Sequence, residues 1–230
     1  MSVTALSTWL RLQSSLWLPC CAWLAFGRER ANAATPAWLA VGIGLSFAAL
    51  LPILRAPRTA ADVVTIARLL GLAVLLAAMP SANAWLWWAG AVAVVLADLL
   101  DGAIARRFGG SEAGASLDME ADQFVVFGLA AAIVLAGGGA HALLLPAIRW
   151  AFVLAAWWLR VPAHEPKPVD GDNRRGRRIC AAVLVALLLA LLPGLPPVAA
   201  DAATAIAVLL LLWSFSGDAR HLLAHRRRAA

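Results

Sequence analysis

The stretch LADLLDGAIARRFGGSEAGASLDMEADQF, residues 96–124, sets Asp98, Asp101, Asp118 and Asp122 close together in sequence. The surrounding chain has 230 residues, of which 63% are hydrophobic and 14% charged, and its mean hydropathy is +0.81. Apolar runs this long and frequent define a polytopic helical membrane protein, all-α, with no separate soluble domain. Acidic side chains are costly in such surroundings. Ionisable groups in membrane helices usually mark function, so the four aspartates are the first candidates for it.

Outward from this stretch, the apolar segments read as helices over roughly 9–27, 37–54, 62–79, 84–104, 116–136, 142–160, 179–193 and 202–216. A spanning helix needs about 20 apolar residues, so 179–193 and 202–216 must extend into their flanks. Pro80 to Asn83, Gly137 to Gly139 and Pro193 to Pro197 are turn material without positive charge. The alternate connections carry Arg55 and Arg58, Arg106 and Arg107, Arg160 to Arg178, and Arg220 to Arg228. That asymmetry puts the basic connections and both termini in the cytoplasm, with Arg28-Glu29-Arg30 as the exception outside. The same charged triplet argues against a signal peptide cleaved near Ala33. Trp85, Trp87 and Trp88 are expected at the outer interface as an aromatic belt.

The formal charge of +6 lies mostly in short segments between apolar runs. This distribution points to anionic lipid and away from nucleic acid. Cys20, Cys21 and Cys180 are odd in number, two of them adjacent, which suits packing residues and not a disulfide framework or a thiolate metal site.

Within the quoted stretch, Asp98, Asp101 and Ala105 follow an i, i+3, i+7 pattern and share one helical face. Asp118 and Asp122 share a face on the next helix. The Gly-rich connection can fold back and bring the two faces together at the membrane–cytosol boundary. Carboxylates packed so closely repel unless cations intervene. Hard divalent ions suit oxygen ligands, and Mg²⁺ commonly uses a few carboxylates plus substrate phosphates. Gly102 and Gly114 leave room for a bulky substrate, and Arg106 offers a planar fork for phosphate. Solvated acids pairing with Arg106 or Arg107 are the competing explanation for any one aspartate.

Asp98-x-x-Asp101-Gly102-x-x-Ala105-Arg106, followed by Gly114-x-x-x-Asp118-x-x-x-Asp122, resembles the motif of the CDP-alcohol phosphotransferase family. The resemblance implies a six-helix membrane core with the motif on its second and third helices, plus about two extra N-terminal helices here. It implies transfer of a phosphatidyl or related phosphoryl group from a CDP-linked lipid, such as CDP-diacylglycerol, to an alcohol, with release of CMP. By the same resemblance, Asp98, Asp101, Asp118 and Asp122 hold two Mg²⁺ or Mn²⁺ ions, and Asp122 is also the general base. Gly102, Ala105, Arg106 and Gly114 would line the CDP pocket. Asp62-x-x-Thr65-x-x-Arg68 is similar to the family's Asn-x-x-Thr-x-x-Arg stretch and adds Asp62, Thr65 and Arg68 to that pocket, with Asp62 in place of Asn. Helix N-capping is the alternative for Asp62.

For the acceptor, Arg174, Arg175, Arg177 and Arg178 precede the seventh apolar segment and are candidates to bind a phosphorylated alcohol; positive-inside topology also accounts for them. Arg149 lies too far from either helix end to snorkel, so it contacts the acceptor or is buried in a pair with an intramembrane polar residue. Glu120 points away from Asp118 and Asp122 and is left outside the metal site; His141 and His164 are expected in solvated loops.

Two other functions compete. An intramembrane prenyltransferase of the UbiA type also uses Asp-rich motifs and Mg²⁺, but its two clusters lie far apart in sequence. A divalent-cation transporter would place its acids nearer the bilayer midplane. The expected organisation is residues 1–58 as extra helices, 59–219 as the membrane core and 220–230 as a basic tail. Expected partners are the CDP-lipid, the alcohol, the bilayer and a second copy of the chain. The expected location is a bacterial cytoplasmic membrane, active site facing the cytoplasm.

Overall fold

A computed structural model describes residues 3–54, 59–108, 111–159 and 173–229. The described residues are 88% helical, without strands. Its α-helices are α1 (Val3–Gly27), α2 (Thr35–Leu54), α3 (Ala60–Ala78), α4 (Ala84–Phe108), α5 (Glu112–Leu135), α6 (Leu144–Trp158), α7 (Asn173–Ala190) and α8 (Pro197–Ala229). Each expected segment is a helix. Among the described residues, five helical stretches are long and apolar enough to cross a membrane: Thr35–Leu54, Ala60–Ala78, Ala84–Ile104, Ala140–Trp158 and Pro197–Ser216. Helix α8 runs on through residue 229, over the residues of the expected basic tail.

Helix α5 is the centre of the bundle and packs against α1, α2, α3, α6 and α7. From Phe124 to Val134 every residue is buried, and every one but Gly128 carries an apolar side chain. A Cβ on Gly128 would lie 2.8 Å from Leu72, so the glycine sets how closely α3 approaches. The helix ends in a Schellman turn: Gly137 has φ +94°, the Gly138 amide donates to the Ile133 carbonyl and the Gly137 amide to that of Val134. Arg28 donates to the Gly138 carbonyl at 3.2 Å. This bond puts the α1–α2 connection at the same end of the bundle as the uncharged α5–α6 connection. The one positive triplet at that end therefore has a local use, as a cation beside a helix C-terminus.

The two N-terminal helices pack on the core. Helix α1 lies along α6, and α2 lies along α3. Trp17 is buried among Phe124, Phe127 and Trp150, stacked on the last with centroids 6.2 Å apart. Its indole donates to Gln13 at 2.8 Å and to Ser46 at 3.2 Å, so its polar edge is satisfied where water is excluded.

The tryptophans at the start of α4 differ from the expected belt. Trp85 is exposed, but Trp87 is buried. The Trp87 indole donates to the Leu75 carbonyl at 2.7 Å and that of Trp88 to the Leu188 carbonyl at 2.8 Å. Both acceptors sit in the last turn of their helices, where carbonyls lack an intrahelical partner. Replacing Trp88 by Phe should strand the Leu188 carbonyl and cost about 1–3 kcal/mol. A lower thermal midpoint with an unchanged rate per folded molecule would verify this. His141, expected in a solvated loop, instead lies 2.7 Å from the Thr204 hydroxyl and 3.1 Å from the Asp201 carbonyl. His164 lies outside the described residues.

Candidate active site

The site begins with two helix starts. Thr59 caps α3 by accepting from the Asp62 amide at 3.2 Å, while the Asp62 carboxylate accepts from the Thr59 amide at 2.8 Å. This reciprocal pair satisfies two donors that a helix start leaves open. Ser111 caps α5, accepting from the Gly114 amide at 2.9 Å. The two starts are in contact, because a Cβ on Gly114 would lie 2.6 Å from Asp62 Oδ1 and 3.2 Å from Ser111 Oγ. Asp62 is therefore a capping residue that also touches the motif glycine. Gly114→Ala should break this contact and cost about 1–3 kcal/mol of overpacking, read as a lowered thermal midpoint.

Two turns further into the bundle the acids converge. Oxygens of Asp98 on α4 and of Asp118 and Asp122 on α5 lie within 4.8 Å of one another. At 1.5 Å per residue the three lie roughly 10–15 Å in from the ends of their helices, all at the end where α3 and α5 begin. Arg68 of α3 stands among them. Its guanidinium donates to Asp98 at 2.8 Å, lies 3.6 Å from Asp118 and is ion-paired with Asp122. Its side chain is 1% exposed, against 35%, 40% and 28% for the three carboxylates. Arg68 thus forms the floor of an acidic cluster that opens to solvent on its other side. Thr65, one turn earlier, is buried and bonds the Ala61 carbonyl.

Of the residues singled out from sequence, Asp98, Asp118, Asp122 and Arg68 come together in one centre, and Asp62 and Gly114 meet beside it. Gly102 is on α4, four residues past Asp98 and on the same face. Asp101, Ala105 and Arg106 continue α4, and Arg174, Arg175 and Arg177 lie in the first turns of α7; these six side chains are outside the described set. Arg178 is exposed. Arg149 is not among the acids of the cluster in any ion pair described; it is paired with Glu120 and donates to the Met119 carbonyl at 3.0 Å.

Three clustered carboxylates are a hard-oxygen donor set of the kind that holds Mg²⁺ or Mn²⁺, and their partial exposure gives an ion and a phosphate access. The fold and site together define the class: an integral membrane enzyme built as a helical bundle around a carboxylate centre. The chain belongs to the CDP-alcohol phosphatidyltransferase family, whose model matches residues 58–213. It is accordingly a transferase, acting on a CDP-alcohol and an acceptor, in a divalent-metal-dependent family. Helices α1 and α2 lie outside the matched residues. No curated protein and no solved structure matches the chain.

Proposed function

We propose that this protein transfers a phosphatidyl or other substituted phosphoryl group from a CDP-linked lipid, such as CDP-diacylglycerol, to an alcohol, releasing CMP in phospholipid synthesis. The observation that carries the reading is the convergence of Asp98, Asp118 and Asp122 within 4.8 Å at one end of a membrane bundle. In this reading Asp98, Asp101, Asp118 and Asp122 hold two Mg²⁺ or Mn²⁺ ions. Bound metal would neutralise the diphosphate and the charge on the departing phosphate.

The remaining work falls to side chains. Asp122 accepts the proton of the alcohol as its oxygen forms a bond to the lipid-linked phosphorus. The bond from that phosphorus to the CMP oxygen breaks, and CMP leaves with the electron pair. Arg68 stabilises the acidic cluster and orients Asp122 through their ion pair. Gly102, Ala105, Arg106 and Gly114, with Asp62, Thr65 and Arg68, form the CDP side of the site. Lipid tails remain in the bilayer while the diphosphate reaches the carboxylates laterally.

Arg174, Arg175, Arg177 and Arg178, at the start of α7, are the acceptor side, and their charge favours a phosphorylated alcohol. Direct acceptor contact by Arg149 competes with its bond to Glu120. The reading places the protein in a bacterial cytoplasmic membrane with this site facing the cytoplasm, and takes a homodimer as the assembly to test by cross-linking. Purified protein incubated with CDP-diacylglycerol, Mg²⁺ and single alcohols should yield one new phospholipid by mass spectrometry, and its head group names the acceptor. No new lipid with glycerol 3-phosphate, inositol phosphate or serine would contradict CDP-diacylglycerol as donor.

A further inference from the structure

We propose that Glu120 and Arg149 are positioning residues that fix the rotation of α5 and so aim Asp118 and Asp122 into the site. The proposal rests on the metal-dependent transfer just described. Glu120 lies two residues from each of those aspartates, about 200° round the helix, on the opposite face. It is 4% exposed and paired with Arg149 of α6, which also donates to the Met119 carbonyl at 3.0 Å. One turn on, buried Gln123 donates to the Pro146 carbonyl of α6 at 2.8 Å. Glu120 and Gln123 are three apart on α5, and Pro146 and Arg149 are three apart on α6. The same two faces are therefore tied twice, one helical turn apart.

Helix adhesion alone does not call for charge here. A buried ion pair usually contributes no more stability than well-packed apolar side chains of similar volume. It differs in its directional demand: turning α5 away from α6 would strand both a carboxylate and a guanidinium in apolar surroundings. The neighbouring residues of α5, Leu117, Ala121, Phe124 and Val125, are buried and apolar, and apolar burial is non-directional. A carboxylate carbon sits about 6 Å from the helix axis, so a 15° turn moves it roughly 1.5 Å. A misplacement of that size can cost a hundredfold in rate. Groups that orient metal ligands from behind typically change metal affinity by 10–100-fold when removed.

The test uses the purified full-length chain and its Glu120→Gln and Arg149→Met variants. Mn²⁺ affinity is measured by electron paramagnetic resonance, alongside kcat and both KM values. The expected result is that each variant weakens Mn²⁺ binding about tenfold or more and lowers kcat, with the acceptor KM within about twofold. Glu120→Gln is nearly isosteric and keeps a hydrogen-bonding group, so it reports even where Arg149→Met unfolds the chain. Both variants binding Mn²⁺ like the unaltered protein would overturn the positioning role, as would a raised acceptor KM in Arg149→Met with Glu120→Gln unchanged. The latter would make Arg149 an acceptor ligand. Unaltered protein that binds no Mn²⁺ would overturn the metal-dependent reading itself, and this inference with it.

Discussion

Asp122→Asn should lower the rate of CMP release by about 10²–10⁴-fold, the range for loss of a general base, while leaving the protein folded. The side chain keeps its volume, and Arg68 keeps its bond to Asp98 and its ion-pair contact with Asp118. The asparagine amide cannot take the alcohol's proton and is a weaker ligand for a hard cation. A rate measured with saturating donor, beside a thermal scan, separates lost chemistry from lost protein. A variant that retains more than a tenth of the rate would remove Asp122 from the base role.

The second large effect is on stability. Arg68→Met removes a guanidinium that lies in ion-pair range of three carboxylates at once, at a position with 1% side-chain exposure. Losing one partner of a buried pair costs about 3–5 kcal/mol. The lower end applies, because the carboxylates are 28–40% exposed and partly hydrated. Left together, the acids repel, so millimolar Mn²⁺ or Mg²⁺ should restore much of the lost thermal midpoint in the variant and less in the unaltered protein. Equal metal-induced shifts in the two proteins would show that Arg68 is not the counter-charge of the cluster.

Much of this was legible in the sequence, and the parts that were not share a cause. Apolar run length marks helices directly, and each of the eight expected segments is found as one. Spacing also shows which residues share a face, so Asp118 with Asp122, and Glu120 on the other side, followed from position alone. Spacing does not show which helix that face will meet. Arg68 is 30 residues from Asp98 and 54 from Asp122, and its place among the acids depends on how α3 packs beside α4 and α5. Arg149 stands out in the sequence as a charge far from either helix end and Glu120 as an acid facing away from the cluster, yet their pairing needs α6 to return beside α5 at one register. The tryptophans of α4 show the same limit. Interfacial preference is a property of the residue, whereas the use of Trp87 and Trp88 to close two helix ends is a property of the bundle. Gly114 leaves room for a substrate as far as the sequence tells, and its lack of a side chain also admits Asp62.

The central claim is that an alcohol attacks the phosphorus of a CDP-linked lipid at this carboxylate centre. Its most direct test is CMP release by the purified protein from CDP-diacylglycerol with Mg²⁺, with and without an alcohol acceptor, and again after chelation. The expected result is release that requires both the alcohol and the metal. Release at the same rate without any alcohol would make the protein a hydrolase of the CDP-lipid, and undiminished release after chelation would leave the aspartate cluster without the role assigned to it.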